Sequence, residues 1–251
     1  MSRELSEDAF LGGRLRLRQP LKGHRAGHDA MLLAAATDAR PGDRVVELGA
    51  GVGAAGLAVA ARATIALTLV EIDEQLAELA RENAALNGIA CSVVVLDVAA
   101  KADAFVAAGL APDSVDHVMM NPPFNDAVRH QPSPDRDRRA AHAASPATLE
   151  TWVHAARRLL KPRGILTLIW RAEALNEILA ALSRGFGGVA VLPVHPKPAS
   201  PAIRVLVRAE KGSGAPLTLR PGLVLNGESG QPAPQAEKVL RGEETLRFGG
   251  N

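Results

Sequence analysis

Three short apolar runs, each carrying a carboxylate at or near its end, constrain this chain more than any other feature. Val45-Val46-Glu47-Leu48 leads into the glycine-rich turn Gly49-Ala50-Gly51-Val52-Gly53, Leu67-Thr68-Leu69-Val70 runs into Glu71, and Val93-Val94-Val95-Leu96 runs into Asp97. Runs this short, apolar at successive positions and rich in β-branched residues, read as strands buried on both faces. A helical stretch follows the glycine turn through residue 61, and a second covers 74–86, closed by Asn87-Gly88 in the manner of a C-cap. Strand and helix in alternation, with strands covered on both sides, mean a parallel sheet in which the strand tips converge on one crevice.

The same rhythm continues downstream. A helix is expected at 102–108, a strand at 115–120, a helix at 147–160 and, after Pro162-Arg163-Gly164, a strand at 165–170. A helix at 174–182 and strands near 189–194 and 203–208 complete the pattern. The expected fold is α/β: a doubly wound, mostly parallel, seven-stranded sheet of Rossmann-like type in a single domain. Ahead of it, the stretch from Leu11 to Gln19, with Leu15-Arg16-Leu17-Arg18 alternating, reads as a strand or hairpin, and an alanine- and leucine-rich helix at 29–39 stops at Pro41-Gly42. The organisation is therefore an N-terminal extension (1–40), the main domain (41–211) and a Gly/Pro-rich tail (212–251) read as an ordered surface wrap.

Composition narrows the setting. With 47% apolar and 22% charged residues the chain can form a packed core, and no apolar run reaches the ~18 residues a membrane helix needs. The charged start of the chain has no signal-peptide core, so the cytoplasm is expected. A single cysteine, Cys91, excludes an internal disulfide and a cysteine zinc site, and in a strand pattern it reads as a packed thiol. His130 and His142 lack metal spacing, so no metal is expected. A formal charge of +2 says little about a polyanionic partner, although residues 126–163 hold eight Arg or Lys against four Asp or Glu.

Asn121-Pro122-Pro123-Phe124 follows the strand at 115–120. Two prolines cannot continue a strand, because each lacks a backbone donor and fixes φ, so the tetrapeptide is a stiff turn at a strand tip. It presents an amide side chain, prolyl carbonyls and an aromatic face. That set suits a planar amine: Asn121 and the Pro122 carbonyl accept its two protons, Pro123 stiffens the corner, and Phe124 stacks on the ring.

The glycine turn fits two cofactors. Gly51-x-Gly53-x-x-Gly56 with Glu71 ~20 residues on matches a dinucleotide fingerprint, and the same strand–turn–helix suits S-adenosylmethionine. Glu47 favours the latter, since a carboxylate balances a cationic methionine end and opposes a pyrophosphate. Gly49, Gly51 and Gly53 then let the ligand approach the backbone, Glu71 accepts the ribose hydroxyls, and Asp97 reaches the adenine amine. Asp73 reads as the N-cap of the following helix. Trp152 and Trp170 fall in helix and strand patterns and read as core.

Glu47-x-Gly49-x-Gly51-x-Gly53, Glu71, Asp97 and Asn121-Pro122-Pro123-Phe124, in that order, resemble class I S-adenosylmethionine-dependent methyltransferases over roughly residues 25–210. Within them the chain looks like the methyltransferase small domain group and is similar to the tRNA1(Val) adenine-N(6) methyltransferase family. The segment from Gln19-Pro20 through Gly23-His24-Arg25-Ala26-Gly27-His28-Asp29 to Leu33 resembles the stretch that precedes the first strand in that family. The resemblance implies that Asp29 lies near the cofactor, with His28 standing where the family usually has threonine. It implies methyl transfer to the exocyclic amine of an adenine in RNA, most naturally tRNA. Arg129, Arg136, Arg138 and Arg139 would then hold phosphates, with Arg14, Arg16 and Arg18 as a second wall.

Rival readings keep the chemistry and change the acceptor, or drop the chemistry. A protein glutamine amide is disfavoured because such enzymes usually carry Tyr where this chain has Phe124, and an rRNA guanine because those enzymes often duplicate the domain. A non-catalytic nucleotide- or RNA-binding module would not need Asn121. An NAD oxidoreductase would need a hydride-site acid or base that the sequence does not offer.

Overall fold

A computed structural model of the 251-residue chain describes residues 4–22, 25–123 and 146–248. The N-terminus is a β-hairpin, β1 (Leu5–Phe10) and β2 (Leu15–Pro20), antiparallel with Leu5 opposite Pro20 and Phe10 opposite Leu15. Leu15 and Leu17 are buried while Arg16 and Arg18 face outward, which is the alternation of a half-buried strand. Helix α1 (His28–Ala36) follows. Its residues 31–36 are all buried, because the sheet lies beneath it and the chain's own tail lies above.

The main sheet is built from β3 (Arg44–Leu48), β4 (Ala66–Glu71), β5 (Cys91–Val95), β6 (Val115–Met120), β7 (Leu160–Arg171), β8 (Phe186–His195) and β9 (Arg204–Lys211). Their order is β5-β4-β3-β6-β7-β9-β8, parallel except for β9, which runs against both its neighbours. Two strands of two residues each, β10 (Thr218–Leu219) and β11 (Leu223–Val224), extend the outer edge at β8 and bring the sheet to nine. The long strands thus number seven as expected, and the extra pair comes from the tail.

Helices α2 (Ala54–Ala60) and α3 (Glu74–Leu86) join α1 on one face of the sheet. Helices α4 (Ala102–Ala107), α5 (Pro146–Leu159) and α6 (Leu175–Leu182) cover the other. Adjacent residues of one strand feed the two cores, as with Met119 on the α1 face and Met120 on the α5 face. Helix α7 (Pro234–Leu240) and the segment after it return to α1, where the Leu246 N–H donates to the Ala35 carbonyl at 2.9 Å. Leu223, Ala236, Val239, Leu246 and Phe248 are buried, so the tail, exposed along most of its described length, is anchored to the core by these side chains.

Strand order reverses between β3 and β6, each the start of a series running outward in opposite directions. In doubly wound sheets the crevice at such a point, outside the carboxyl ends of the strands, is where ligands bind.

Candidate active site

That crevice holds a cavity of about 760 Å³, within the range usual for small-molecule sites. Its floor is the turn after β3 together with the tips of β4, β5 and β6, and residues 25–30 at the start of α1 line it from above. Gly49 and Gly51 both lie on it with left-handed φ of 68° and 56°. A side chain on Gly51 would meet no atom within 4 Å, so that position opens onto free space. Gly53 (φ 84°) closes the turn with its N–H on the Ala50 carbonyl. It does not line the cavity; a Cβ there would stand 2.9 Å from Leu69. Gly56 plays a related packing part, because a Cβ would stand 2.7 Å from Glu47 Oε2 and 2.6 Å from Leu69.

Glu47 is only 4% exposed, and its Oε2 accepts the Gly56 N–H at 2.7 Å. Burial pushes its carboxyl up to about 8, the Gly56 bond opposing and the Glu71 charge adding to the shift. Among the described residues no cation pairs with it. Glu71 is 7% exposed and held by backbone: Oε2 accepts from Gly51 (2.7 Å), and Oε1 from Ile72 and Asp73 (2.9 Å each). Asp97 lines the cavity from the tip of β5, exposed, accepting the Ala99 N–H at 2.8 Å. Asp73 caps α3 by accepting from Gln75 and Leu76. Asp29, in the first turn of α1, is held by Arg204 Nε at 2.9 Å across 175 residues of sequence.

Asn121 and Pro122 lie on the wall at the tip of β6, with exposed Pro123 beside them. Asn121 Oδ1 is shielded from solvent and has no hydrogen-bond partner among the described residues. A buried polar atom left unpaired costs about 1–3 kcal/mol, so its retention on a cavity wall needs a reason. Phe124, Arg129, Arg136, Arg138 and Arg139 lie outside the described residues.

The structure also brings in residues the sequence did not single out for the site. Trp152 of α5, read as core, is half-buried and lines the cavity, its indole packed so closely over Gly49 that a Cβ there would lie 2.3 Å from the ring. Helical periodicity marks Trp152 as apolar-facing and gives no sign that it reaches a glycine 103 residues earlier. Arg204 is likewise on the wall, at the start of β9.

A switch-point cavity, a glycine turn and acidic strand tips define a Rossmann-like fold built to hold a nucleoside-bearing cofactor. A family model described as the methyltransferase small domain matches residues 26–197, and the chain belongs to that family. The tRNA1(Val) (adenine(37)-N6)-methyltransferase of Porphyromonas gingivalis is 30% identical over 161 residues, 61% of this chain and 61% of its own length. The enzyme of the same name from Bacteroides fragilis is 27% identical over 187 residues, 73% of this chain and 76% of that one. A crystal structure described as a predicted O-methyltransferase from Agrobacterium tumefaciens is 35% identical, with a TM-score of 0.72 over 87% of this chain and 98% of its own. The Thermus thermophilus 16S rRNA N2 G1207 methyltransferase, solved with AdoMet and guanosine, shares the fold at 18% identity and a TM-score of 0.58, over 84% of this chain and 51% of that one.

This protein is therefore an S-adenosylmethionine-dependent methyltransferase. The residues present fit that cofactor: a glycine, Gly51, whose missing side chain leaves room, a buried carboxyl with no cation beside it among the described residues, and carboxylates at successive strand tips.

Proposed function

We propose that the protein methylates the exocyclic amine of an adenine in RNA, a tRNA by likeness to the relatives named above. One observation carries the acceptor chemistry: Asn121 lines the cofactor cavity beside Pro122, and its Oδ1 is shielded and unpaired among the described residues. An incoming N–H would satisfy it.

The cofactor supplies a methyl group on a sulfonium, already a good leaving group. The chain's task is to hold the cofactor and to align an amine lone pair with the transferring methyl, which is worth roughly 7–11 kcal/mol when well pre-organised. Glu47 would face the cationic methionine end, Glu71 the ribose hydroxyls and Asp97 the adenine amine, with Gly49 and Gly51 giving the close approach and Asp29 part of the roof. On the acceptor side the difficulty is the amine itself, whose lone pair is delocalised into the ring. Asn121 Oδ1 and the Pro122 carbonyl would accept its two protons and favour the pyramidal nitrogen reached only on the way to the transition state. The methylated nitrogen then gives its extra proton to water, so no strong base is required. Phe124 would stack on the base, worth about 1–3 kcal/mol. Arg129, Arg136, Arg138 and Arg139 would hold phosphates.

A hydroxyl acceptor, as the description of the Agrobacterium structure would have it, carries one proton and needs a base to remove it. Two neutral oxygens at a rigid corner suit an NH₂ better. The test is mass spectrometry of nucleosides from tRNA treated with purified protein and S-adenosylmethionine. N6-methyladenosine is the expected product; a 2′-O-methylated nucleoside or N2-methylguanosine would replace this reading.

A further inference from the structure

The N-terminal hairpin is fastened to α3 by two asparagine side chains one helical turn apart. Asn83 Oδ1 accepts the Arg18 N–H at 2.7 Å and its Nδ2 donates to the Arg18 carbonyl at 3.1 Å. Asn87 does the same for Arg16, accepting its N–H at 2.9 Å and donating to its carbonyl at 2.7 Å. The spacings match: four helical residues rise about 6 Å, and two strand residues span about 6.6 Å. The two amides therefore stand in for a neighbouring strand along the free edge of β2, which would otherwise leave its backbone groups open.

The two clips differ in one respect. Asn83 is 0% exposed, and its Nδ2 also donates to the Val52 carbonyl at 3.0 Å, in the glycine turn on the cavity floor. Asn87 reaches no part of the cavity; its further bond goes to the Asn83 carbonyl. At the other end of β2, Gln19 (1% exposed) accepts the Ala26 N–H at 2.7 Å on the cavity roof and donates to Asp8 Oδ2 at 2.9 Å. Asp8 Oδ2 in turn holds Arg25 at 2.6 Å, and Arg25 also lines the cavity.

We infer that the hairpin is a clamp for the cofactor site, with Asn83 as the positioning residue that ties it to the floor and Gln19 the one that ties it to the roof. Asn is a poor helix former, and a buried one among Leu79, Ala80 and Ala84 is retained because three backbone groups in two other segments depend on it. Removing Asn83 frees Val52, and with it the backbone between Gly51 and Gly53, from the hairpin. The inference rests on this cavity holding the cofactor and is independent of the acceptor.

Calorimetry with S-adenosylhomocysteine, together with hydrogen exchange of the hairpin amides, tests it. Asn83→Ala is expected to weaken binding about tenfold, as the loss of a buried hydrogen-bonding group implies, and to abolish the extra protection that ligand gives residues 15–20. Asn87→Ala is expected to speed exchange in the hairpin while affinity stays within about twofold. Equal losses in both variants would make the asparagines mere hairpin fasteners and overturn the inference, as would unchanged affinity in Asn83→Ala. Should Asn83→Ala not fold, Gln19→Ala decides: weaker binding upholds the clamp, and wild-type affinity ends it. Because no acceptor is involved, either result leaves the assignment of the methylated base untouched.

Discussion

Glu71 and Asn121 end β4 and β6 and look onto one cavity, yet their surroundings differ completely. Glu71 receives N–H groups from Gly51, Ile72 and Asp73, all from its own half of the sheet. Asn121 Oδ1 receives none. At Glu71 the half assigned to the cofactor is thus held by the chain itself, and this carboxylate serves stability as well as binding. The half assigned to the acceptor keeps a hydrogen-bonding demand that none of the described residues meets, as expected where stability is given up for activity.

Replacing Asn121 should break this contrast most visibly. On the proposed role, Asn121→Ala removes a pre-organised group acting only on the reacting amine, so kcat should fall about 10²–10³-fold. Because the lost oxygen has no partner among the described residues, Tm should stay level or rise, and calorimetry should find cofactor affinity unchanged. A variant that turned over normally, or that lost stability along with rate, would remove Asn121 from the acceptor role.

Glu71→Ala should do the reverse. Breaking charge-assisted bonds to three N–H groups costs about 1.5–3 kcal/mol, or roughly 3–12 °C in Tm for a domain of this size, and cofactor affinity should fall with it. Unaltered affinity would move the ribose contact to another carboxylate.

Much of this architecture is written locally. The strand Val115–Met120 is bounded by turn residues and prolines, and its limits in the structure are those the sequence implies. The glycine turn and the carboxylate tips follow from the same punctuation. The elements that are hard to read are those whose reason is non-local. Strand β1, with Ser6, Glu7 and Asp8 at its centre, is a strand because β2 pairs with its backbone, not because of its side chains. The tail strands are two residues each, too short for any period to register, and exist because β8 offers an edge. Trp152 reaches Gly49, and Arg204 reaches Asp29, only once the sheet has assembled. Phe124 and the loop arginines, legible as a motif and a charge run, fall outside the described residues.

A finer contrast sets Glu47 against Glu71 within the cofactor half. Glu47 accepts a single N–H and is buried enough to be pushed up to about 8, so near neutral pH it keeps its proton. A cationic cofactor end beside it favours the ionised form, and binding should therefore expel a proton. Calorimetry at pH 7 in buffers of different ionisation enthalpy should report release of about one proton, with affinity rising up to about tenfold per pH unit below 8. Glu47→Gln should abolish both. A buffer-independent enthalpy in the wild-type protein would separate Glu47 from the cation.

The smallest expected effect lies on β6 itself, at its opposite end from Asn121. His117 is 7% exposed, its Nε2 stands 3.2 Å from Asp43 Oδ2, and its Nδ1 is unpaired. Burial lowers its pKa; Arg208 adds to the fall, and Asp43 and Asp116 oppose it without cancelling it. The unfolded chain, with a histidine near 6.5, then binds a proton that the folded chain refuses. Stability is complete above that value and declines as pH falls below it, by at most about 1.4 kcal/mol per pH unit for one group. His117→Gln should flatten that part of the profile relative to wild type in thermal melts from pH 8 to pH 5, while leaving cofactor affinity alone. If wild type and variant lost stability in parallel, the acid sensitivity would belong to other groups. The unpaired nitrogen at the foot of β6 would then be a feature of packing only, unlike the unpaired oxygen at its tip.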